Sequence, residues 1–265
     1  MSATSPESGL RSPIAVIGGS GFYSFDGNET SDSASLVSVS TPYSSAAELV
    51  LACATPAGDI WFLPRHGTGH SVAPHEINYR SKLWALHKLG ARAVVAVNAV
   101  GGISSRMTTG TLVLPDQLID YTWGRAHTFV EGNHRFAAHV DFTFPYDAKM
   151  CEVMESAGKQ AGMQLVRGGV YACTQGPRLE TAAEIRKLAA DGCDIVGMTG
   201  MPEAALAREL GLRYCSVAVV VNRAAGLQSE EISLADLSRE LAEGINRVRR
   251  LLLQALPGLL DITAP

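Results

Sequence analysis

Apolar residues in the carboxyl-terminal half of the chain fall into short continuous runs and stretches with helical spacing. Residues 194–198 and 214–221 are apolar runs of strand length, and residues 202–210 repeat apolar positions three or four apart. Continuous apolar runs are typical of strands that are buried on both faces. The order strand, helix, strand therefore predicts a βαβ unit whose two strands are parallel.

A polar loop follows each predicted strand of this unit. Residues 198–200 (MTG) come after the first strand, and residues 222–224 (NRA) come after the second. Ligands of open α/β sheets lie beyond the carboxyl ends of the strands. We therefore expect the two loops to form two walls of one small-molecule site.

The same patterns continue through the rest of the chain. A loop without a clear period, residues 122–145, is long enough to predict a functional or interface segment. Residues 28–45 are polar, and residues 1–12 form a Ser/Pro-rich tail that lacks the apolar region of a signal peptide. One α/β domain over residues 13–265 is expected. Its strands are predicted at 14–17, 49–54, 59–63, 93–97, 111–118 and 165–173, and its helices at 75–88, 147–162, 181–190 and from 233 onward.

Composition narrows the class of protein. The 265 residues are 46% hydrophobic and 18% charged, which is typical of a globular chain. A net charge of −4 argues against a general nucleic-acid binder, and no apolar run reaches the length of a membrane span. The cysteines are odd in number and scattered through apolar runs, which predicts reduced, buried thiols and a cytoplasmic protein. They are Cys53, Cys151, Cys173, Cys193 and Cys215.

A glycine-rich turn, residues 18–21 (GGSG), follows the first predicted strand. Small residues let backbone N–H groups approach an anion, and Ser20 adds a hydroxyl group. A dinucleotide-binding fingerprint is an alternative, but Ser24 stands in place of its third glycine and the polar residues 28–45 do not predict the helix that must follow. Two further interpretations fit the sequence: the glycines only form a turn, or the chain is a non-catalytic nucleotide-binding protein.

Arg65 and His66 follow another predicted strand. Guanidinium and imidazole groups both donate to phosphate oxygens, so the pair predicts an anion clamp. A surface arginine beside a packed histidine is the plainer alternative. His66, His70 and His75 also suggest zinc, although Pro74 and the lack of Cys or carboxylate ligands in register weaken that interpretation.

Several segments, in this order, resemble the trimeric purine nucleoside and methylthioadenosine phosphorylase family. The resemblance extends over nearly the whole chain and implies an α/β fold with a mixed central sheet flanked by helices. It also implies a homotrimer with its site at the subunit boundary, and cleavage of a purine nucleoside by inorganic phosphate as co-substrate. It implies no cofactor, no metal and no protein nucleophile. The segments are GGSGF (18–22), RHG (65–67), NYR (78–80), GPRLET (176–181) and GMTGMPE (197–203).

The resemblance assigns roles to individual residues. Met198 would lie under the ribose, and His139 falls where the family brings a residue across from the neighbouring subunit. Asn222 and His66 would act directly in catalysis. The phosphate-binding residues would be Ser20, Arg65, His66, Ala99 through its backbone N–H, and Thr199.

Two positions indicate which purine base is bound. Methylthioadenosine phosphorylases place aspartates in the loop where this chain has Asn222 and Ala224. An amide donates a hydrogen bond to a 6-oxo group and accepts one from a protonated N7. An ionised carboxylate has no hydrogen to donate, so it cannot make both bonds. Glu180 resembles the glutamate that accepts N1–H in 6-oxopurine phosphorylases, and Leu179 beside it would contact the base. Hypoxanthine is therefore expected, with guanine as the alternative and adenine disfavoured, although Glu180 alone also fits a solvated carboxylate at a helix start.

The 5′ side of the nucleoside resembles the other subfamily. Leu234, with Leu237 one turn later, stands where 6-oxopurine phosphorylases carry a histidine for the 5′-hydroxyl. An apolar wall favours a 5′-methylthio group, although both leucines also fit a helix core. The combination predicts phosphorolysis of S-methyl-5′-thioinosine to hypoxanthine and 5-methylthioribose 1-phosphate. S-methyl-5′-thioadenosine and inosine or guanosine are the alternative substrates. Arg223 has no assigned role beyond exposure to solvent or shaping its loop.

Overall fold

Strands and helices follow one another along the part of the chain that the computed structural model describes, residues 12–23, 25, 34–131, 139–228 and 234–264. The strands are β1 (Ile14–Gly18), β2 (Ala34–Val39), β3 (Glu48–Cys53), β4 (Ile60–Pro64), β5 (Ala93–Gly102), β6 (Leu112–Leu114), β7 (Gln117–Asp120), β8 (Leu165–Arg167), β9 (Val170–Cys173), β10 (Ile195–Gly197) and β11 (Arg213–Arg223). The α-helices are α1 (Tyr79–Lys88), α2 (Ala148–Gln160), α3 (Ala182–Ala190), α4 (Glu203–Glu209) and α5 (Leu234–Thr263).

All of these strands join one sheet built around β5. Along one edge β5 pairs in parallel with β11 over its whole length. Along the other edge its first half pairs in parallel with β1, and its last two residues pair antiparallel with β10. The sheet then continues from β1 through β4 and β3 to β2, from β10 through β9 to β7, and from β11 through β6 to β8. The mixed central sheet is confirmed.

A gap on one edge of β5 determines where the site lies. Pairing with β1 ends at Ala96, and pairing with β10 begins at Gly101. Residues 97–100 therefore have no strand beside them on that edge, and Ala99 and Val100 line a cavity there. The backbone groups of Val97 and Ala99 point to the same edge because a strand alternates its hydrogen-bonding direction.

Helices cover the sheet as their apolar spacing predicts. Helix α2 packs against α5 and β11, and α1 packs against α4 and β3. The buried side chains of Ile245, Val248 and Leu252 lie three or four residues apart on α5. The helix predicted from residue 233 onward is confirmed as α5, whose described residues begin at Leu234.

Side-chain caps define where three helices begin. Asp147 accepts from the backbone N–H of Met150 at the start of α2, and Thr181 forms a capping box with Glu184 at the start of α3. The helix predicted from residue 75 begins only at Tyr79, because the Asn78 side chain accepts from the N–H of Ser81 and caps it there.

Two long predicted strands are each broken into two. Residues 111–118 give β6 and β7, since Pro115 between them has no N–H for a ladder. Residues 165–173 give β8 and β9, because Gly168 (φ 81°) and Gly169 (φ 125°) turn the chain with left-handed backbone conformations.

The expectation that the strands of the 194–221 unit are parallel is wrong. β11 runs parallel to β5, whereas β10 runs antiparallel to it. The order of elements does not determine the direction in which a chain re-enters a sheet. Here Ile195 and Val196 pair with Gly102 and Gly101 in reverse order, so β10 leads back along the gap in β5. The loop after β10 therefore reaches the middle of β5, beside Asn98, and not the end of β5.

Other expectations differ in detail. Polar residues 28–45 contain strand β2, which pairs antiparallel with β3 and alternates buried Val37 and Val39 with exposed neighbours. Ser12, assigned to the tail, is buried and donates to the carbonyl oxygen of Asp59. The five cysteines are buried, as predicted. Across the described residues, no helix is long and apolar enough to span a membrane.

Candidate active site

One cavity of about 820 Å³ brings together most of the predicted site residues. It lies along the gap in β5 and is bounded by the ends of β1, β4, β10 and β11 and by the first turns of α5. Both loops that were expected to form its walls do line it. The predicted residues among its lining are Ser20, Arg65, His66, Ala99, Leu179, Glu180, Met198, Thr199, Asn222 and Leu237.

Two other predicted site residues are not placed in this cavity. His139 is exposed on the long loop and does not line the cavity of its own chain. Leu234 begins helix α5, but its side chain lies outside the described part of the structure. Leu237, Ser238 and Leu241 are the α5 residues that reach the cavity.

The glycine turn after β1 lies unusually close to β5. A Cβ atom on Gly19 would stand 2.5 Å from the carbonyl oxygen of Val97 and 3.0 Å from Nη1 of Arg65. A side chain does not fit there, so Gly19 is required for close backbone approach. Ser20 follows it into the cavity. In the described residues the next element is strand β2, not the helix that the dinucleotide fingerprint requires.

Arg65 is fully buried and is held by a carboxylate. Its Nε and Nη2 donate to the two oxygens of Glu203 at 2.6 and 2.9 Å, and its Nη1 donates to Val97 O at 2.8 Å. Tyr214 also donates to Glu203, at 2.9 Å. Burial opposes the charge of Arg65, but Glu203 outweighs it and raises the pKa of Arg65 above its usual value. These three bonds use three of the five N–H donors of a guanidinium group, so two are left for an anion.

His66 lines the cavity beside Arg65, and one hydrogen bond defines its tautomer. Its Nδ1 lies 2.8 Å from the carbonyl oxygen of Val72, which only accepts, so Nδ1 carries the proton. Burial and the charge of Arg65 lower the pKa of His66 to about 4, and the ring is neutral at pH 7. The Nε2 atom therefore carries a lone pair. The one N–H of His66 is used by Val72 O, so in this state the ring offers an acceptor at Nε2, and its role in phosphate binding stays a prediction.

A buried polar chain orients the hydroxyl group of Thr199. Ser216 Oγ donates to Asn98 Oδ1 at 2.8 Å, and Asn98 Nδ2 donates to Thr199 Oγ1 at 2.8 Å. Since Thr199 Oγ1 accepts from Asn98, its own hydrogen is available to an anion. Sequence reasoning missed Asn98 and Ser216 because both lie inside apolar strands. A polar residue within an apolar run was the signal that could have found them.

The wall on the other side carries the predicted base-binding residues. Thr174 donates to Glu180 Oε1 at 2.6 Å, which leaves Oε2 as an acceptor. Asn222 Nδ2 donates to Arg223 O at 2.6 Å, which leaves Oδ1 and one N–H of the amide. Ala224 is buried beside them, and no carboxylate occupies its position.

Arg223 shapes a loop. Its guanidinium donates to the carbonyl oxygens of Ser104 and Met107 from Nη1 and to that of Ile103 from Nη2. These bonds fix residues 103–107 against the end of β11. The arginine therefore supports the wall that carries Asn222.

Sequence reasoning also missed Glu203 and Arg125. Glu203 is 1% exposed, and Arg125 is 8% exposed although it lies in the long loop after β7. Neither has a local pattern that predicts burial. Throughout the described ranges, no cluster of three or more His, Cys, Asp or Glu side chains could hold a metal ion.

The chain is similar to known proteins over most of its length. The family model of the Phosphorylase superfamily matches residues 13–257. A probable S-methyl-5′-thioinosine phosphorylase of Pseudomonas syringae is 45% identical over 242 residues, which are 91% of this chain and 97% of that protein. A 6-oxopurine nucleoside phosphorylase of Pyrococcus furiosus is 40% identical over 251 residues, which are 92% of each chain.

Solved structures extend the similarity to the whole fold. A methylthioadenosine phosphorylase from an antarctic soil metagenomic library superposes with a TM-score of 0.86 at 29% identity, covering 96% of this chain and 88% of that one. A methylthioadenosine phosphorylase of Schistosoma mansoni in complex with adenine gives a TM-score of 0.86 at 28% identity, over 96% and 92% of the two chains.

Proposed function

The chain belongs to the phosphorylase superfamily, and from this membership we propose that it catalyses phosphorolysis of S-methyl-5′-thioinosine. Inorganic phosphate attacks the anomeric carbon, the N-glycosidic bond breaks, and hypoxanthine and 5-methylthioribose 1-phosphate are released. The observation that carries this proposal is one cavity with an amide and a carboxylate, Asn222 and Glu180, on its base side and Leu237 and Leu241 beside it. The Pseudomonas syringae relative, 45% identical, has the same reaction in its name.

The phosphate end of the proposed site surrounds the gap in β5. Arg65 supplies two N–H donors, Thr199 and Ser20 supply hydroxyl groups, and Ala99 supplies the backbone N–H that points to the open edge. A charge-assisted hydrogen bond of the Arg65 kind contributes roughly 1.5–3 kcal/mol. Since neutral His66 offers a lone pair at Nε2, it accepts a hydrogen bond from a protonated phosphate oxygen.

The base end stabilises the leaving purine. As the N-glycosidic bond breaks, the electron pair moves into the base and the sugar becomes oxocarbenium-like, with Met198 beneath it. The leaving base takes a proton at N7 from solvent water, and Oδ1 of Asn222 accepts a hydrogen bond from that N7–H. The remaining N–H of the Asn222 amide donates to the 6-oxo group, while Glu180 accepts a hydrogen bond from N1–H and Leu179 packs on the ring. One preorganised hydrogen bond to developing charge is worth roughly 2.7–4 kcal/mol in a transition state.

The proposal includes the state in which the enzyme acts. We infer a homotrimer in the cytoplasm that needs no metal or cofactor, in which His139 reaches the site of the neighbouring subunit. Exposure of His139 outside its own cavity and of aromatic side chains on the same loop supports this arrangement.

Steady-state kinetics with S-methyl-5′-thioinosine, S-methyl-5′-thioadenosine and inosine test the proposal. We expect the highest kcat/KM for methylthioinosine. Adenine leaves buried polar groups unpaired, so discrimination against methylthioadenosine is expected to approach about 10⁴-fold. The 5′ contact is apolar, so inosine is expected to be only about 10–200-fold poorer.

Methylthioadenosine phosphorylase is the second candidate, since the solved structures of similar fold carry that name. Asn222 and Ala224 argue against it, because neither supplies a carboxylate for the 6-amino group. The variant Asn222→Asp serves as the control and is expected to shift preference towards methylthioadenosine. A wild-type enzyme that prefers methylthioadenosine would refute hypoxanthine as the base. An unchanged substrate preference in Asn222→Asp would refute the role of Asn222 in recognising the base.

A further inference from the structure

We propose that Arg125 is a positioning residue that ties the base side of the cavity to its phosphate side and so couples the binding of the two substrates. The inference rests on the proposed function. Arg125 belongs to the long loop between β7 and α2, yet it is buried to 8% exposure behind the cavity. It does not line the cavity itself.

The guanidinium group of Arg125 bonds to both walls at once. From Nη1 it donates to the backbone oxygens of Met198, at 2.8 Å, and Met201, which enclose the phosphate-side residue Thr199. From Nη2 it donates to the backbone oxygens of Thr174, at 3.3 Å, and Gln175, at 2.8 Å. Thr174 is also the residue that donates to Glu180.

A third connection leads to the loop that holds His66. Nη1 of Arg125 lies 3.3 Å from Tyr79 Oη, and Tyr79 in turn donates to the carbonyl oxygen of Pro74 at 2.9 Å. The guanidinium also lies over the Tyr79 ring, 5.6 Å from its centroid. Val72, which binds His66, is two residues before Pro74 in the same loop.

The partners of Arg125 are unusual for a buried cation. Arg65 pairs with the carboxylate of Glu203, but every recorded hydrogen-bond acceptor of Arg125 is a neutral oxygen, including Gln175 Oε1 at 3.2 Å from Nε. A buried charge needs such saturation, because desolvation is costly without it. Only a planar fork with five donors reaches two separate backbone segments together. Lysine keeps the charge but has three donors at a single point.

This geometry predicts thermodynamic coupling. When phosphate orders the segment from Met198 to Met201, the shared guanidinium also fixes Thr174 and therefore Glu180. A base then binds to a wall that is already ordered, and linkage makes the effect reciprocal. Loss of the fork is expected to remove the coupling more than the affinity for either ligand alone.

Calorimetric titration of the full-length protein with a purine base tests the coupling. The base is the one released from whichever nucleoside the wild type turns over fastest. Each titration is run with and without saturating inorganic phosphate. For the wild type we expect phosphate to lower the dissociation constant of the base by about 5-fold or more. The coupling ratio is the dissociation constant of the base without phosphate divided by that with phosphate. For Arg125→Lys this ratio is expected to fall to near one. The kcat/KM of the variant is expected to fall by about 100-fold, as for misplaced reactants. Arg125→Met is the stronger second variant.

Arg223→Lys is the matched control, since Arg223 also bonds backbone carbonyls but only within residues 103–107. It is expected to lower Tm and to weaken base binding equally with and without phosphate, so that the coupling ratio stays at its wild-type value. A wild-type ratio near one, or an Arg125→Lys protein that retains the wild-type ratio, overturns the proposal. Failure of the wild type to release a base from any nucleoside would instead overturn the proposed function, and the two results are therefore distinguishable.

Discussion

The His66 ring is neutral because of the groups around it and not because of its residue type. The carbonyl of Val72 takes the Nδ1 proton, and burial beside Arg65 lowers the pKa of the ring to about 4. In the unfolded chain the same ring titrates at about 6.5. Between those two values the unfolded chain binds more protons than the folded protein. Stability is therefore expected to fall as pH decreases from about 6.5 to about 4.

His66→Asn tests this linkage, because the Asn amide keeps a donor for Val72 O and removes the titration. The loss in wild type is expected to be at most about 1.4 kcal/mol of unfolding free energy per pH unit, and the variant is expected to lose less over the same range. Urea unfolding between pH 4 and 7 measures the difference. Identical slopes in the two proteins would contradict the assignment.

At the scale of single residues, sequence predicts the lining of the cavity better than its support. Ser20, Arg65 and Thr199 were predictable because each follows an apolar run that reads as a strand. Their supports were not, since Arg65 and Glu203 lie 138 residues apart and Asn98 and Thr199 lie 101 apart. Hydrogen bonds between distant segments leave no trace in local periodicity.

Among the elements, position along the chain was predictable and direction was not. The runs that became β1, β3, β4 and β11 indicate strands by their apolar content alone. The reversal of β10 depends on which edge of β5 is vacant, a property of the assembled sheet. The site nevertheless forms, because β10 leads its loop towards the vacant stretch beside Asn98.

Strand β10 needs glycine at its end for close packing on β9. A Cβ atom on Gly197 would stand 2.5 Å from Tyr171 Oη and 3.0 Å from its Cζ, and Tyr171 is fully buried. Gly197→Ala is expected to displace the adjoining Met198 and Thr199, costing about 1–3 kcal/mol of stability by overpacking. It is also expected to lower kcat/KM. Chemical denaturation and phosphorolysis assays measure the two effects.

Tyr171→Phe provides the control for Gly197→Ala, because it removes the atom nearest to the new methyl group. The double variant is expected to be more stable and more active than Gly197→Ala alone, with a coupling energy of roughly 0.5–3 kcal/mol for groups in contact. If the changes in unfolding free energy of the two single variants add up to that of the double variant, the ring and the glycine do not constrain each other.

Over the whole molecule, the long loop carries large apolar side chains outward. Trp123 is 72% exposed and Phe144 is 69% exposed, and both flank the segment that contains His139. Trp123 also lines a smaller cavity of about 280 Å³ that shares Glu180 with the main one. Aromatic side chains are enriched in protein interfaces, so two exposed ones on this loop support a contact surface there.

The proposed homotrimer makes this loop an interface next to the site. Trp123→Asp is expected to shift the molar mass in analytical ultracentrifugation from three chains towards one, because a buried charge without a partner opposes association. Phosphorolysis is expected to fall in parallel, since His139 then no longer reaches a neighbouring cavity. Leu36→Asp, at a side chain 61% exposed on strand β2, is the control and is expected to remain trimeric. A monomeric wild type would refute the trimer. A fully active monomeric Trp123→Asp would refute only the role of His139, since each chain would then complete its own site.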